Sequence, residues 1–232
     1  MRKHPLITGE IYHIFNKSIA GFTIFNNNDE YQRILVAMKY YTVNKHSSCL
    51  SRFLEIKNKP QANIQIEIDN YLATKTKIID IIAYCIMPTH IHLILKQLKE
   101  NGISEYVNNL CNSYTRFFNT KHKRKGPLWE SRFKSRLVRD DNQLLHLTRY
   151  LHLNPTTAFI VDRPESWQYS SYQEYTQIEK TTKFCNFRDL IDMPTEEYKK
   201  FNDDRISYQR ELAQIKDLIM DEPSVDLRGL HG

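Results

Sequence analysis

The stretch Ile78-Ile79-Asp80-Ile81-Ile82-Ala83-Tyr84-Cys85-Ile86-Met87-Pro88-Thr89-His90-Ile91-His92-Leu93-Ile94-Leu95-Lys96 decides how this chain folds. Ile78 to Ile86 is a nearly continuous apolar run rich in β-branched residues, the pattern of a central strand covered on both faces. Met87-Pro88-Thr89 reads as a turn, and His90 to Lys96 as the next strand. Alternate residues of a strand point to the same face, so His90 and His92 share one. Two imidazoles aimed at one point are the beginning of a metal site, although two alone do not complete a coordination sphere. The plainer alternative is a pair of half-buried imidazoles on a strand face.

Working outward, Ile11 to Phe15 reads as a first strand. A turn-like stretch with Gly21 leads to Asn26-Asn27-Asn28, which with Asp29 and Glu30 forms a helix start. Tyr31, Ile34, Leu35, Met38 and Tyr41 then recur at helical spacing. The polar, mixed segment 46–75 reads as an insertion, in which Ile64, Ile66 and Ile68 alternate with Gln65 and Glu67 like a short strand or hairpin arm. After Gly102, the residues Ile103, Val107, Leu110, Tyr114 and Phe117 give a long helix one apolar face. Lys121 to Gly126 ends that helix in a basic loop, and Phe133 to Val138 reads as a strand. Asp141 is placed to cap a helix carrying Leu144, Leu147 and Leu151 that stops at Asn154-Pro155. Trp167 to Tyr175 is rich in aromatics.

Strand–helix–strand–strand–helix–strand is the split βαβ order. The expected fold is therefore α+β and ferredoxin-like: an antiparallel sheet with helices packed on one face. Residues 1–175 form the main domain. Residues 176–232 form a mainly helical C-terminal extension with helical pieces near 195–220, and from Asp189 onward it holds eleven acidic residues against six basic ones.

At 232 residues, with 41% hydrophobic and 12% aromatic residues, the chain can bury a proper core. Its longest apolar run, Ile81 to Met87, is too short to span a bilayer, so no membrane partner is expected. The N-terminus lacks an apolar stretch after its charges, which points to a cytoplasmic protein. The four cysteines, Cys49, Cys85, Cys111 and Cys185, form no C-x-x-C pair, which gives no support to a zinc ribbon or a redox motif. The net charge of +6 is uneven. Nine basic residues, Arg116, Lys121, Lys123, Arg124, Lys125, Arg132, Lys134, Arg136 and Arg139, share one window with a single acid, Glu130. Such a concentration suits a polyanion, nucleic acid first, or else forms a solvated basic loop.

Two further features could carry chemistry. Tyr114 lies on an apolar helix face, where a tyrosine is either a core residue with its hydroxyl satisfied or, if that face looks onto the histidines, a nucleophile. The segment Lys121 to Lys134 interleaves basic side chains with Trp129 and Phe133. That mix can neutralise phosphates and stack unpaired bases, unless the two rings belong to the core.

Ala83 to Leu95 resembles the HUH strand of single-tyrosine transposases, in particular the REP-associated tyrosine transposases. Tyr12-His13-Ile14-Phe15-Asn16-Lys17 resembles that family's first strand, and Tyr114-Thr115-Arg116-Phe117-Phe118-Asn119 its catalytic helix. Gly126-Pro127-Leu128-Trp129-Glu130-Ser131-Arg132-Phe133 is similar to its G-x-L-W-x-x-R-[FY] segment. Tyr150-Leu151-His152-Leu153-Asn154-Pro155 is similar to its Y-[IL]-x-x-N-P helix end, and Trp167-Gln168-Tyr169-Ser170-Ser171-Tyr172 to its W-x-x-S-S-Y. The resemblance spans residues 11–175 without 46–75.

The resemblance implies metal-dependent cleavage and rejoining of single-stranded or hairpin DNA. His90 and His92 would hold Mg²⁺ or Mn²⁺, and Tyr114 would attack phosphorus to give a 5′-phosphotyrosine and a free 3′-hydroxyl. Arg116, Lys121, Lys123, Arg124, Lys125, Trp129, Arg132, Lys134 and Arg136 would bind the DNA, with the protein a monomer or a homodimer. Some single-tyrosine enzymes place a glutamine ligand four residues after the tyrosine. Phe118 stands there, leaving Asn119, about 40° further round the helix, as the candidate. Thr89 replaces the commoner asparagine of the M-P-N-H turn. Two rivals remain: a domesticated relative that binds structured nucleic acid without cutting it, and an unrelated metal-dependent phosphodiester hydrolase in which water attacks.

Overall fold

The computed structural model describes residues 5–44, 46–57, 64–176, 185–208 and 210–211. The strands are β1 (Ile11–Lys17), β2 (Ile79–Met87), β3 (His90–Gln97) and β4 (Lys134–Leu137). The helices are α1 (Asn28–Tyr40), α2 (Leu50–Lys57), α3 (Ile64–Ala73), α4 (Gly102–Lys121), α5 (Asp141–Thr157), α6 (Tyr172–Thr176) and α7 (Thr195–Asp203). The sheet order is β2-β3-β1-β4 with every pair antiparallel, the arrangement expected from the split βαβ order.

Strand alternation divides the core in two. Tyr12, Ile14, Ile81, Tyr84, Ile86, Ile91, Leu93 and Leu95 face α1 and α4, joined by Ile34, Met38, Ile103, Tyr106, Leu110 and Tyr114. The other face carries Ile82, Ala83, Cys85, Met87 and Ile94, and packs on Leu144 and Leu151 of α5. A register shift between Ile81 and Ala83 lets both faces of β2 stay apolar. The two helices of the split βαβ pattern thus share one face, and α5, α6 and α7 add a second layer on the other. Phe187, Ile191 and Tyr198 are buried in that layer. His152 is fully buried there, with its ring nitrogens 2.7 Å from the hydroxyls of Tyr198 and Ser171. This holds α7 and the aromatic segment to α5. Backbone bonds from Ile86 to Tyr169 and from Ser171 to Tyr84 cover the outer edge of β2.

Local departures have local causes. Ile64, Ile66 and Ile68 lie on helix α3 and not on a strand; Ile68 is buried against α1 and Ile66 is exposed. A three-residue alternation is too short to distinguish the two periods. The cap of α5 is Asp140, whose side chain accepts from the Gln143 backbone at 2.7 Å, and not Asp141. The helix runs through Pro155 to Thr157, because a proline in the last turn forfeits only one hydrogen bond. Gly102 opens α4 against β2; a Cβ there would sit 2.3 Å from the Ile78 carbonyl oxygen, so only glycine fits. The stretch 212–220, where helical pieces were expected, lies outside the described residues, as does most of the acidic extension.

Asn27 caps α1, and Glu30 at its start is fully buried. Burial pushes the Glu30 carboxyl up, but hydrogen bonds from the Asn26 backbone and side chain, His122 and Lys121 outweigh it and hold the group at about 2. The ionised form therefore stabilises α1 against the end of α4 above about pH 4.5, and that contribution is lost as pH falls towards about 2. Glu30→Gln should cost on the order of 2 kcal/mol at neutral pH and flatten that acid limb. Urea denaturation at pH 7 and pH 3 checks both.

Candidate active site

The histidines stand on β3 beside β1. His90 pairs across the strands with Lys17, His92 with Phe15, and Ile94 with His13. All six side chains share the sheet face covered by α5, and β4 adds Lys134 and Arg136 to the same face opposite Phe15 and His13. The His90 and His92 rings lie 5.0 Å apart and nearly perpendicular. Thr89 Oγ1 lies 2.9 Å from Nδ1 of His90, and Nε2 of His13 lies 3.0 Å from Nδ1 of His92. Both rings thus engage Nδ1, leaving Nε2 without a hydrogen-bond partner among the described residues. Thr89 replaces an asparagine by a side chain that still reaches His90.

All three imidazoles are neutral at physiological pH. Burial and Lys17 lower His90 to about 4. Burial and Arg136 lower His13 to about 4. Burial and the two neighbouring histidines hold His92 well below its usual range. Neutral imidazoles with a spare nitrogen suit a divalent cation. No group of three or more His, Cys, Asp and Glu side chains able to hold a metal occurs among the described residues, so water or a neutral oxygen would have to complete the sphere.

The tyrosine beside the histidines is Tyr150. It lies on α5, 44% exposed, with its ring edge-on to His92 at 5.7 Å and to His13 at 6.4 Å. The row Gln143, Leu147 and Tyr150 on α5 lines a cavity of about 320 Å³ with His13 and Arg136 to Val138. Buried Leu151 and His152 fix the rotation of the helix and so the direction of Tyr150. Burial raises the Tyr150 phenol, and the Asn154 side chain one turn on counteracts it. Nδ2 of Asn154 is buried, and no other group among the described residues accepts from it.

Tyr114 does not meet the histidines. It is fully buried on the opposite sheet face, among Phe25, Phe117, Phe118 and Trp129. Its hydroxyl donates to the Ile24 carbonyl, and burial pushes its phenol far above the ordinary tyrosine range. The reason is strand parity: Ile91 and Leu93, not His90 and His92, point towards α4. The expectation that the apolar face of α4 overlooks the histidines is therefore corrected.

Asn119 is likewise on α4, donating to the Gly126 carbonyl at 2.9 Å and accepting from Arg124 at 3.0 Å. It braces the basic loop and is not brought to the histidines. The Trp129 indole packs against α4 and donates to the Cys111 carbonyl at 3.3 Å, so its ring belongs to the core more than to a stacking platform. Lys121 is held by Glu30 at 3.3 Å, and Arg116 lines a separate cavity with Tyr41, Ser51 and Asn112 on the far side of α4. Lys123, Lys125 and Arg132 are exposed in loops, and Arg124 is partly tied to Asn119 and Pro127. Of the nine expected DNA-binding residues, the sheet places Lys134 and Arg136 on the histidine face.

Sequence reasoning missed Tyr150 and His13 as site residues, although both lie in quoted motifs. One signal was present. The amide sought four residues after Tyr114, and absent there, stands four residues after Tyr150 as Asn154.

Residues 30–154 match the IS200-like transposase family. Over 109 residues the chain is 30% identical to a Haemophilus influenzae protein assigned as a REP-associated tyrosine transposase, across 42% of this chain and 61% of that protein. The chain thus matches about three fifths of that relative's length. The solved structure of a REP-associated tyrosine transposase bound to a REP hairpin has the same fold. Its TM-score is 0.51 at 14% identity, covering 84% of this chain and 98% of the other.

The two tyrosines should differ in stability before any assay of activity. Tyr114→Phe leaves a buried carbonyl unsatisfied and should cost about 1–2 kcal/mol, whereas Tyr150→Phe should stay within about 0.5 kcal/mol of the parent. Urea denaturation of both variants reads the difference.

Proposed function

This chain belongs to the IS200-like transposase family, and on that footing we propose that it cleaves and rejoins single-stranded or hairpin DNA with Tyr150 as nucleophile. The observation that carries the reading is the Tyr150 ring 5.7 Å from His92, on the sheet face that also bears His90. His90 and His92 are the residues that would hold Mg²⁺ or Mn²⁺ through Nε2. Asn154 stands where the resemblance gives some single-tyrosine enzymes an amide ligand. A divalent cation, when bound, withdraws charge from the scissile phosphate and makes phosphorus more electrophilic.

In the proposed step, the Tyr150 hydroxyl oxygen forms a bond to phosphorus as the bond from phosphorus to the 3′-oxygen breaks. The phenolic proton leaves to water on the exposed side of the ring, and the departing 3′-oxygen takes one from water. The products are a 5′-phosphotyrosine and a 3′-hydroxyl. Attack by another 3′-hydroxyl reverses the step and rejoins the strand. Because helix α5 is anchored on both sides of the tyrosine, the nucleophile is held in place instead of being searched for. Lys17, Lys134 and Arg136 flank the histidines and offer cations to the backbone of the strand. Lys17 also pairs with Glu130 at 3.2 Å, which leaves Lys134 and Arg136 the less committed of the three.

A denaturing gel after incubation with hairpin-bearing single-stranded DNA and Mn²⁺ tests the assignment. A covalent protein–DNA adduct should form with the parent and with Tyr114→Phe, and vanish in Tyr150→Phe. An adduct that survives Tyr150→Phe but not Tyr114→Phe would restore Tyr114. Cleavage without any adduct would indicate attack by water, and binding without cleavage a domesticated binder.

Salt dependence locates the strand. Arg136→Gln and Lys134→Gln should each lower the slope of log K against log salt by about 0.7, the single-strand value per phosphate contact, while Arg116→Gln leaves it unchanged. The reverse pattern in a filter-binding titration would put the DNA on the far side of α4.

A further inference from the structure

His13 is the imidazole of the cluster that the proposed reaction leaves without a task. It sits on β1 between His92 and Arg136, its ring edge to edge with that of His92, with centroids 5.3 Å apart and planes inclined by only 16°. Its Nε2 is 3.0 Å from Nδ1 of His92. Two neutral imidazoles in this arrangement share one proton between the facing nitrogens. If His92 donates Nδ1–H, its Nε2 carries a lone pair. If His13 donates instead, Nε2 of His92 carries an N–H and cannot act as a ligand.

Among the described residues, His92 has no alternative partner at that position. It is only 4% exposed, and its other close neighbours are the rings of Phe15 at 4.8 Å, His90 at 5.0 Å and Tyr150 at 5.7 Å. His90 is served differently, by the Thr89 hydroxyl. Each histidine of the pair therefore has its own device for fixing the ring.

We propose that His13 is a positioning residue which, by accepting Nδ1–H from His92, fixes the tautomer and ring orientation that present the Nε2 lone pair of His92 to a divalent cation. This rests on the proposed role of His90 and His92, and deepens it by assigning the support of one of them. Without the acceptor, a buried N–H at Nδ1 would be unsatisfied, and His92 would favour the tautomer with the proton on Nε2. Loss of such an outer partner typically costs 10–100-fold in metal affinity.

The test uses the full chain and Mn²⁺ alone, with free Mn²⁺ followed by electron paramagnetic resonance. Long-range ¹H–¹⁵N spectra of the metal-free protein report the histidine tautomers. The parent should bind Mn²⁺, His92→Ala should not bind, and His13→Phe should bind roughly 10–100-fold more weakly. His13→Gln, whose amide oxygen can accept the same proton, should recover most of the affinity. In the spectra, His92 should carry its proton on Nδ1 in the parent and on Nε2 in His13→Phe. Parent-like affinity in a folded His13→Phe, or a parent His92 already protonated on Nε2, overturns the inference while leaving the metal site standing. A parent that binds no Mn²⁺, or His92→Ala binding as the parent does, overturns the metal site itself and the inference with it.

Discussion

The two-residue period of β3 is the constraint on which the rest of the structure depends. Ile91, Leu93 and Leu95 are committed to the core under α1 and α4, so His90 and His92 have to face the other way. A slip of one residue would turn both imidazoles into the core under α4 and the three aliphatic side chains away from it. The antiparallel pairing with β1 and β2 fixes the register on both sides. Everything at the site inherits its position from that choice: His13 and Phe15 from β1, Lys134 and Arg136 from β4, and the side from which a helix can approach.

Helix α5 is that approach, and its energetics separate the structural from the chemical side chains. Leu144, Leu151 and fully buried His152 face the sheet or the layer formed by α6 and α7. Tyr150 is turned away from that interior and keeps 44% of its surface exposed. A tyrosine that contributed to folding would be placed as Tyr114 is, among rings and with its hydroxyl satisfied by Ile24. Tyr150 has the opposite environment: open on one side, edge-on to two imidazoles, and beside the buried amide of Asn154. The contrast supports the role proposed for Tyr150 and places Tyr114 in the core.

The charge distribution follows the same division. The basic window between Arg116 and Arg139 is continuous in sequence but not in space. Its first part runs along α4, where Lys121 compensates buried Glu30. Its last part forms β4, an exposed edge strand whose alternate residues, Lys134 and Arg136, lie on the histidine face. Edge cations of this kind also discourage pairing with another sheet.

By itself the sequence determined the strand–turn–strand at Met87-Pro88-Thr89, the main helices, the split βαβ order and the shared face of His90 and His92. Each follows from local hydrophobic period or turn chemistry. It also contained Tyr150 inside a recognisable motif, with only the asparagine four residues on to rank it above Tyr114. Both are tyrosines on helices that follow the histidine strand, and helical period says which residues share a face but not which face of the sheet receives them. Only the tertiary structure decided that α4 and α5 lie on opposite faces, that Tyr114 is core, and that His13 meets His92 across two strands. The physical reason is that a strand has two faces of equal local standing, and the packing of residues far apart in the chain selects which helix covers each.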